Sequence, residues 1–180
     1  ELARDIAQKF NHDYGVEFFP IVEPLIFGTA TRVMSLKDGN SKMSKSDPSD
    51  NSRINMTDDL DTITRKIKRA KTDSEPLPSA PAGLNGRSEA TNLIGIYAAL
   101  SDMDVETVVR DFGGQGFGIF KQALADLASE KLAPIQSEMR RLLEDRAHVD
   151  SVLCVGAEHA SSRAEPILKE VKRLVGFLGA

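Results

Sequence analysis

The 180-residue sequence predicts an α/β protein in which a short strand-containing part precedes a predominantly helical part. Two observations support this prediction. Residues 29–36 are rich in β-branched side chains and end just before a polar loop, as expected of a strand. From about residue 57 onward, apolar residues recur every three or four positions, which is the period of an amphipathic helix.

The N-terminal part is predicted to hold one short helix, an extended connection and one strand. Helical spacing of the apolar residues at positions 2–10 predicts an amphipathic helix that stops by Gly15. Pro20 and Pro24 interrupt the apolar run that follows, so this run is a poor central strand and favours an extended connection. The strand itself is expected at residues 29–36.

A strand at residues 29–36 would be the last of a parallel sheet whose other members are missing. Parallel partners need crossover helices, and too few residues lie upstream to supply them. We therefore expect an incomplete sheet, with Ile26, Phe27 and Val33 exposed, or covered by a neighbouring chain or a second fragment.

The helical part is predicted to begin with a helix capped by Thr57, with Asp58 and Asp59 in its first turn. One side of this helix is apolar. The other side carries the densest basic cluster of the chain: Arg65, Lys66, Lys68, Arg69 and Lys71. Two interpretations of this cluster stay open, a solvated face and a patch that meets the phosphates of RNA or of a nucleotide.

Further helices are predicted along the rest of the chain. A connection rich in Pro and Gly covers residues 72–87, a helix then begins at Ser88, and another helix carries Val105, Val108 and Phe112 before Gly113 stops it. The longest helical pattern covers residues 117–146, and Pro134 is predicted to kink or divide it.

The C-terminal stretch is predicted to hold a short turn ending near Gly156 and then a final helix. The apolar stripes of the helical part, including Ile167 and Leu168 on that final helix, are predicted to be core. Cys154 is predicted to be a small core residue. As the single cysteine, it excludes an intrachain disulfide and a cysteine-rich zinc site.

Composition excludes some classes of function. The net charge of -4 excludes a uniformly basic nucleic-acid binder, so any RNA contact must use a local patch. No uninterrupted apolar run approaches the roughly 20 residues that span a bilayer. We therefore expect no membrane partner and a cytoplasmic location.

The stretch Lys42-Met43-Ser44-Lys45-Ser46 has the character of a phosphate-handling loop. It places two ammonium groups three positions apart among small hydroxyl side chains. Turn-forming residues flank it on both sides, which argues against burial in a helix. Lysines meet a polyphosphate as mobile point charges, whereas arginines impose the geometry of a planar fork. This arrangement suits charge that moves during a reaction.

The same string resembles the KMSKS signature of the class I aminoacyl-tRNA synthetases. Nearly the whole chain resembles the C-terminal half of the bacterial tryptophanyl-tRNA synthetase family, most clearly over residues 32–36, 44–48, 72–75 and 116–121. The HIGH-type histidine motif of that family is absent, because the three histidines are not in a His-x-x-His arrangement. In the family this motif lies far N-terminal to the lysine loop. We therefore expect the chain to be a C-terminal fragment.

The resemblance implies an incomplete Rossmann-type catalytic domain followed by a helical domain. Residues 1–56 would form the C-terminal part of the nucleotide-binding catalytic domain, with the lysine loop. Residues 57–180 would form the anticodon-recognition domain, and residues 150–180 are expected to pack back on the catalytic domain.

The resemblance also implies the activity of a tryptophan-tRNA ligase. Such an enzyme uses ATP to activate L-tryptophan as an aminoacyl-adenylate and transfers it to tRNA(Trp). This chain alone is expected to be inactive. Lys42 and Lys45 would be catalytic through contacts with the ATP phosphates. Met34, Met43, Ser44 and Ser46 would complete the ATP site, with Met43 offering backbone contacts to adenine.

The implied partners are tRNA(Trp), ATP, L-tryptophan and a second copy of the full-length protein in a homodimer. Mg2+ would arrive with ATP, so no metal site is expected on the protein itself. The tryptophan pocket would lie mostly in the missing half.

Two alternatives stay open. One is the related tyrosine enzyme. The other is a non-catalytic, helical RNA-binding module that keeps a synthetase-like loop. The upstream sequence would discriminate them, because a histidine motif and an indole-sized pocket would establish the enzyme and its substrate.

Overall fold

The computed structural model describes residues 1–26, 28 and 30–178, and regular structure within them is helical. The helices are α1 (Leu2–Tyr14), α2 (Leu60–Arg69), α3 (Ser88–Ser101), α4 (Val105–Phe112), α5 (Phe117–Glu144) and α6 (Arg146–Val175). Two 3-10 turns cover Asp50–Ser52 and Pro81–Leu84. None of the helices described is both long and apolar enough to cross a membrane. The chain divides into two compact units, one of residues 1–26 and 141–180, the other of residues 27–140.

The core of the second unit forms from the helical stripes that the sequence predicts. Ile63 and Ile67 of α2, and Phe120 of α5, are at most 1% exposed. Leu93 and Ile94 of α3 join them in one cluster. Removing such side chains from water is the main favourable contribution to folding. The predicted core positions are confirmed for these five residues, whereas Leu60 and Ile135 on the same predicted stripes are 44% and 54% exposed, so the prediction is wrong for them.

The predicted strand at residues 29–36 is not formed. Thr29 lies outside the described residues, as does Phe27. Residues 30–36 contain only an isolated antiparallel bridge between Met34 and Lys42. The reason is that the peptide groups of this segment bond to separate parts of the chain and not to one neighbouring strand. The Leu36 N–H donates to the Ser52 carbonyl at 2.9 Å, and the Leu36 carbonyl accepts from the Lys71 N–H at 2.7 Å. A Rossmann-type sheet is therefore not visible in the described residues.

Helix α2 begins later than predicted, because Asp59 is its cap instead of Thr57. The Asp59 carboxylate accepts a hydrogen bond from the Thr62 N–H at 2.7 Å. Asp58 is not free to enter the first turn, because its carboxylate is bound by the Lys66 ammonium and the Asn55 N–H. An aspartate at this position satisfies one of the unpaired N–H groups at the helix start.

Helices α5 and α6 differ from the prediction in where they break. Helix α5 runs through Pro134 without division and ends at Glu144. Asp145 then caps α6 through the His148 N–H at 3.0 Å. No turn occurs near Gly156, because a glycine inside a long helix costs only about 1 kcal/mol.

The final helix does not provide core in this chain. Ile167 and Leu168 are each 50% exposed, and Cys154 is exposed as well. The prediction of burial is therefore wrong for these three residues. Helical spacing identifies an apolar side, but it does not supply the surface that would cover it.

In the first unit, α1 stops where the sequence predicts. Gly15 takes the left-handed conformation with φ of 62°, and its N–H bonds the last carbonyls of the helix. The Asn11 side chain then accepts hydrogen bonds from the N–H groups of Phe18 and Phe19, at 3.1 and 2.9 Å. These bonds fix the extended connection after α1.

Candidate functional site

A tight turn over residues 38–41 leads into the lysine loop. The Asp38 carboxylate accepts hydrogen bonds from the Asn40 N–H, at 3.1 Å, and from the Ser41 hydroxyl. These donors, the Ser41 hydroxyl foremost, lower the pKa of Asp38 below its usual value. The side chain thus folds back on its own backbone, the usual role of aspartate in turns.

Gly39 is the residue of this turn that packs against α3. A Cβ added at this position would lie 2.5 Å from the Glu89 backbone nitrogen and 2.7 Å from the Ser88 carbonyl oxygen. Any side chain at this position would force the turn or the helix to shift, since real contacts to carbon lie near 3.5 Å. The turn before the lysine loop is therefore seated on the first turn of a helix.

The segment before the turn pairs with the start of the lysine loop. The Ser35 N–H donates to the Ser41 carbonyl at 2.8 Å, and the Met43 N–H donates to the Val33 carbonyl at 3.1 Å. These two bonds define the bridge between Met34 and Lys42. They fix the backbone at Lys42 and Met43.

Asn92 of α3 holds the other side of this segment. Its side-chain oxygen accepts from the Met34 N–H at 2.9 Å, and its amide donates to the Met34 carbonyl at 2.9 Å. The same amide also lies 3.4 Å from the Ser35 carbonyl. One buried side chain thereby satisfies both peptide groups of Met34, as a neighbouring strand would do.

The loop itself is an exposed turn with its serines facing each other. The Ser44 and Ser46 hydroxyls lie 2.9 Å apart, and the Asp47 N–H donates to the Ser44 carbonyl at 3.3 Å. Lys42 and Lys45 are exposed. Within the described part of the chain, neither ammonium group makes a hydrogen bond or an ion pair. Both charges are therefore available to an anion.

Beyond the loop, residues 47–58 form a trailing segment that returns to α2. The Ser49 N–H donates to the Asp47 carboxylate at 2.7 Å. The Arg53 guanidinium donates to the Asp47 carbonyl at 2.9 Å and pairs with Asp50 at 3.3 Å. This end of the loop is held mainly by polar groups, and Ile54 adds an apolar contact with the core.

Two cavities lie beside the segment of residues 33–35 that pairs with the start of the lysine loop. Of the predicted ATP-binding residues, Lys42 and Met43 line one cavity and Met34 lines the other. One cavity, of about 580 Å³, is lined by Thr31, Arg32, Val33, Lys42 and Met43. Met34 lies instead on a cavity of about 500 Å³, together with Asn92 and Gly39. The backbone of Met34 is already bonded by Asn92.

The basic cluster of α2 is smaller than the sequence indicates. Lys66 is only 1% exposed and pairs with Asp50 and Asp58, so its assignment to a solvated or RNA-facing side is wrong. Lys71 pairs with Glu89 at 2.8 Å. The other exposed members of the cluster, besides the paired Lys71, are Arg65, Lys68 and Arg69.

The structure adds four residues that the sequence analysis missed: Gly39, Asp50, Val33 and Asn92. Gly39 and Asp50 belong to turns whose importance depends on distant contacts. Gly39 lay in the pattern of turn residues before the lysine loop and Val33 in the family-like segment of residues 32–36, whereas no sequence signal marked Asp50 or Asn92.

The string Lys42–Ser46 lies on an exposed turn beside a cavity, as expected of a loop that contacts the phosphates of a nucleotide. The chain belongs to the class I tRNA synthetases, since the family model described as tRNA synthetases class I (W and Y) matches residues 1–133. The resemblance drawn from the string is confirmed at this level.

Individual relatives narrow the comparison. The chain is 56% identical to a tryptophan–tRNA ligase of Mesorhizobium japonicum over 99% of its length, which is 56% of that protein. It is 58% identical to a tryptophan–tRNA ligase of Caulobacter vibrioides over all of its length, which is 53% of that protein. The chain thus spans about half the length of the curated relatives it matches.

A solved structure matches the fold. The chain aligns with a tryptophanyl-tRNA synthetase from Mycoplasma pneumoniae at a TM-score of 0.80 and 23% identity. The alignment covers 98% of this chain and 52% of that one. At this identity the match speaks for the fold alone.

Proposed function

We propose that this chain is the C-terminal half of a tryptophan–tRNA ligase and that its loop of residues 42–46 handles the phosphates of ATP. The single observation that carries the proposal is the pair of exposed, unpartnered ammonium groups of Lys42 and Lys45 in the described structure, on a turn held firmly at both ends. The names of the relatives support tryptophan as the amino acid.

In the proposed reaction, the carboxylate of tryptophan attacks the α-phosphorus of ATP and magnesium pyrophosphate leaves. Negative charge then grows on the phosphate oxygens of the leaving group. Lysines that reach these oxygens only when the loop closes stabilise the transition state more than the ground state, and this difference raises the rate. We assign Lys42 and Lys45 to this role, with Mg2+ as part of the nucleotide substrate.

The base of ATP has a candidate position in the cavity lined by Val33 and Met43. There the backbone of Met43 is fixed by its bond to the Val33 carbonyl, and Lys42 lies on the same wall. Ser44 and Ser46 shape the turn through their shared hydrogen bond. Met34 remains a candidate through its side chain, because its peptide groups are bound to Asn92.

The remaining assignments rest on the family. Residues 1–56 would belong to the catalytic domain, and residues 57–180 would recognise the anticodon of tRNA(Trp). We expect the full-length ligase to be a cytoplasmic homodimer, and sedimentation of that protein tests its oligomeric state. Running the activation assay with tyrosine beside tryptophan tests the second amino acid covered by the family description.

The decisive experiment replaces Lys45 by alanine in the full-length ligase. Loss of one preorganised charged donor at a reacting centre costs roughly 2 to 4 kcal/mol, which is about 30-fold to 1000-fold in rate. Pre-steady-state adenylate formation should show this loss in kcat, with little change in ATP affinity. Lys45→Arg should also be impaired, because a planar fork does not replace a compact ammonium.

Lys131, which is exposed on α5, provides the matched control. Lys131→Ala removes the same charge from the same kind of surface and should leave the rate unchanged. A Lys45→Ala enzyme that forms adenylate within about threefold of the wild-type rate, far inside the expected loss, would assign this lysine to the ordinary surface.

A further inference from the structure

The most deeply buried charge near the lysine loop belongs to Lys66 of α2. Its side chain is 1% exposed, and its ammonium lies 2.7 Å from an Asp50 oxygen and 2.6 Å from an Asp58 oxygen. Its helix neighbours Ile63 and Ile67 are equally buried. A buried ion pair of this kind is often no more stabilising than apolar side chains of the same volume. Its more distinctive effect here is on position.

Both carboxylates belong to the trailing segment (residues 47–58), so Lys66 ties that segment to α2 at two points. Asn55 links the same two carboxylates, since its N–H bonds Asp58 at 2.9 Å and its amide bonds Asp50 at 2.9 Å. Ile54 packs against the core and the Ser52 carbonyl accepts from the Leu36 N–H, so the middle of the segment is anchored independently of Lys66. The polar contacts of Lys66 and Asn55 hold the parts of the segment on either side.

A continuous set of contacts runs from Lys66 to the end of the lysine loop. Asp50 pairs with Arg53 at 3.3 Å, and the Arg53 guanidinium donates to the Asp47 carbonyl at 2.9 Å. Asp47 directly follows the loop of residues 42–46. Two positive and two negative groups take part, so the charges of Lys66, Arg53, Asp50 and Asp58 cancel within the cluster.

We propose that Lys66, acting through Asp50 and Arg53, is a positioning residue. It fixes the backbone at Asp47, the C-terminal end of the lysine loop, and thereby the position from which Lys45 reaches the phosphates. This proposal rests on the proposed function. Lys66 touches no substrate in it, and its effect on the rate passes entirely through the placement of the loop. A catalytic group must be held within a fraction of an ångström of its working position, because a misplacement of about 1 Å costs up to about 100-fold.

The test uses Asp50 and leaves Lys66 in place, because Lys66 is buried whereas the Asp50 side chain is 59% exposed. Asp50→Asn keeps the shape and removes the charge. Whichever way the new amide is turned, its NH2 group meets donors, either Lys66 on one side or Asn55 and Arg53 on the other. The link is therefore weakened without creating a cavity.

Two matched variants accompany it. Asp61→Asn makes the same chemical change at an exposed position in the first turn of α2 and should leave both loop and rate unchanged. Asp50→Glu keeps the charge on an exposed side chain with room to adjust, and it should restore most of the lost rate.

The variants are made in the full-length ligase and compared by tryptophan-dependent pyrophosphate exchange and by amide hydrogen exchange of residues 47–58. For Asp50→Asn we expect kcat to fall about tenfold or more with ATP KM changed less than about twofold, and faster amide exchange confined to the trailing segment. In a Lys45→Ala background, Asp50→Asn should lower kcat little further, because both changes remove the same contribution, that of a correctly placed Lys45 ammonium.

Three results overturn the proposal. One is a kcat for Asp50→Asn equal to that of Asp61→Asn. Another is a full multiplicative loss in the Lys45→Ala background. The third is a loss that Asp50→Glu does not reverse, with amide exchange faster throughout the helices, which indicates general destabilisation. An inactive wild-type ligase would instead refute the proposed function, and amide exchange would still report on the Lys66 contacts.

Discussion

The close contact of Gly39 with α3 makes Gly39→Ala the sharpest structural test. The added Cβ would meet three backbone atoms of α3, at 2.5, 2.5 and 2.7 Å. Carbon contacts are favourable near 3.5 Å, so the turn or the helix must move by about 1 Å. Backbone atoms in the first turn of a helix cannot rotate away as a flexible side chain does.

The expected magnitude combines two opposing effects. Overpacking of this kind costs about 1 to 3 kcal/mol. Replacement of glycine also restricts the unfolded chain, which returns about 0.4 to 1 kcal/mol. The difference is about 0 to 2.6 kcal/mol, so we expect Gly39→Ala to lower the free energy of unfolding by about 1.3 kcal/mol, the middle of that range.

Gly95 provides a control on the same helix. It lies inside α3, and a Cβ added there has no neighbour within 4 Å. Gly95→Ala should raise the free energy of unfolding by about 0.5 to 1 kcal/mol, because alanine is the better helix former. Urea unfolding followed by circular dichroism measures both variants. A Gly39→Ala protein as stable as Gly95→Ala would refute the steric argument.

Three further outcomes are expected. Asn92→Ala should lower the free energy of unfolding by about 1 to 3 kcal/mol in the same urea assay, because it leaves the peptide groups of Met34 unpaired, and an unchanged midpoint would contradict this. Asp38 has a lowered pKa in the folded state, so the stability that its carboxylate contributes is present above the ordinary pKa of 3.8 and is lost as pH falls through the folded value. Thermal unfolding between about pH 5 and pH 2 should therefore show that Asp38→Asn loses less stability than the wild type. The chain alone should show no tryptophan-dependent pyrophosphate exchange, and robust exchange by the purified chain would overturn its assignment as half of an enzyme.

The sequence was sufficient where local pattern decides the structure. The helix start at Ser88 and a helix that carries Val105, Val108 and Phe112 are predicted from spacing and turn residues, and the structure has both helices. The prediction of a strand at residues 29–36 was wrong, because the hydrogen-bond partners of this backbone are distant in sequence. Asn92 and Ser52 take hydrogen bonds that a sheet would have used, and no local pattern announces them.

In the candidate site, too, local sequence patterns were sufficient for some residues, and contacts between distant residues decided the others. The lysine loop was recognisable from five letters, because the residues that act are adjacent in sequence. Lys66 was misassigned because a lysine among basic neighbours resembles a surface residue. Its carboxylate partners, Asp50 and Asp58, lie 16 and 8 positions away, so only the folded chain reveals that it is buried.

The two hydrogen bonds between the Asn92 side chain and the peptide groups of Met34, here called the clamp, make position 34 tolerant of substitution and position 92 intolerant. Because Asn92 bonds peptide groups, any residue at position 34 that keeps its N–H preserves the clamp, and only proline is barred. Position 92 is the opposite, since only a side-chain amide of this length offers one acceptor and two donors in that space. One of the contacts that set the route of the backbone into the lysine loop thus comes from a single residue placed 58 positions downstream.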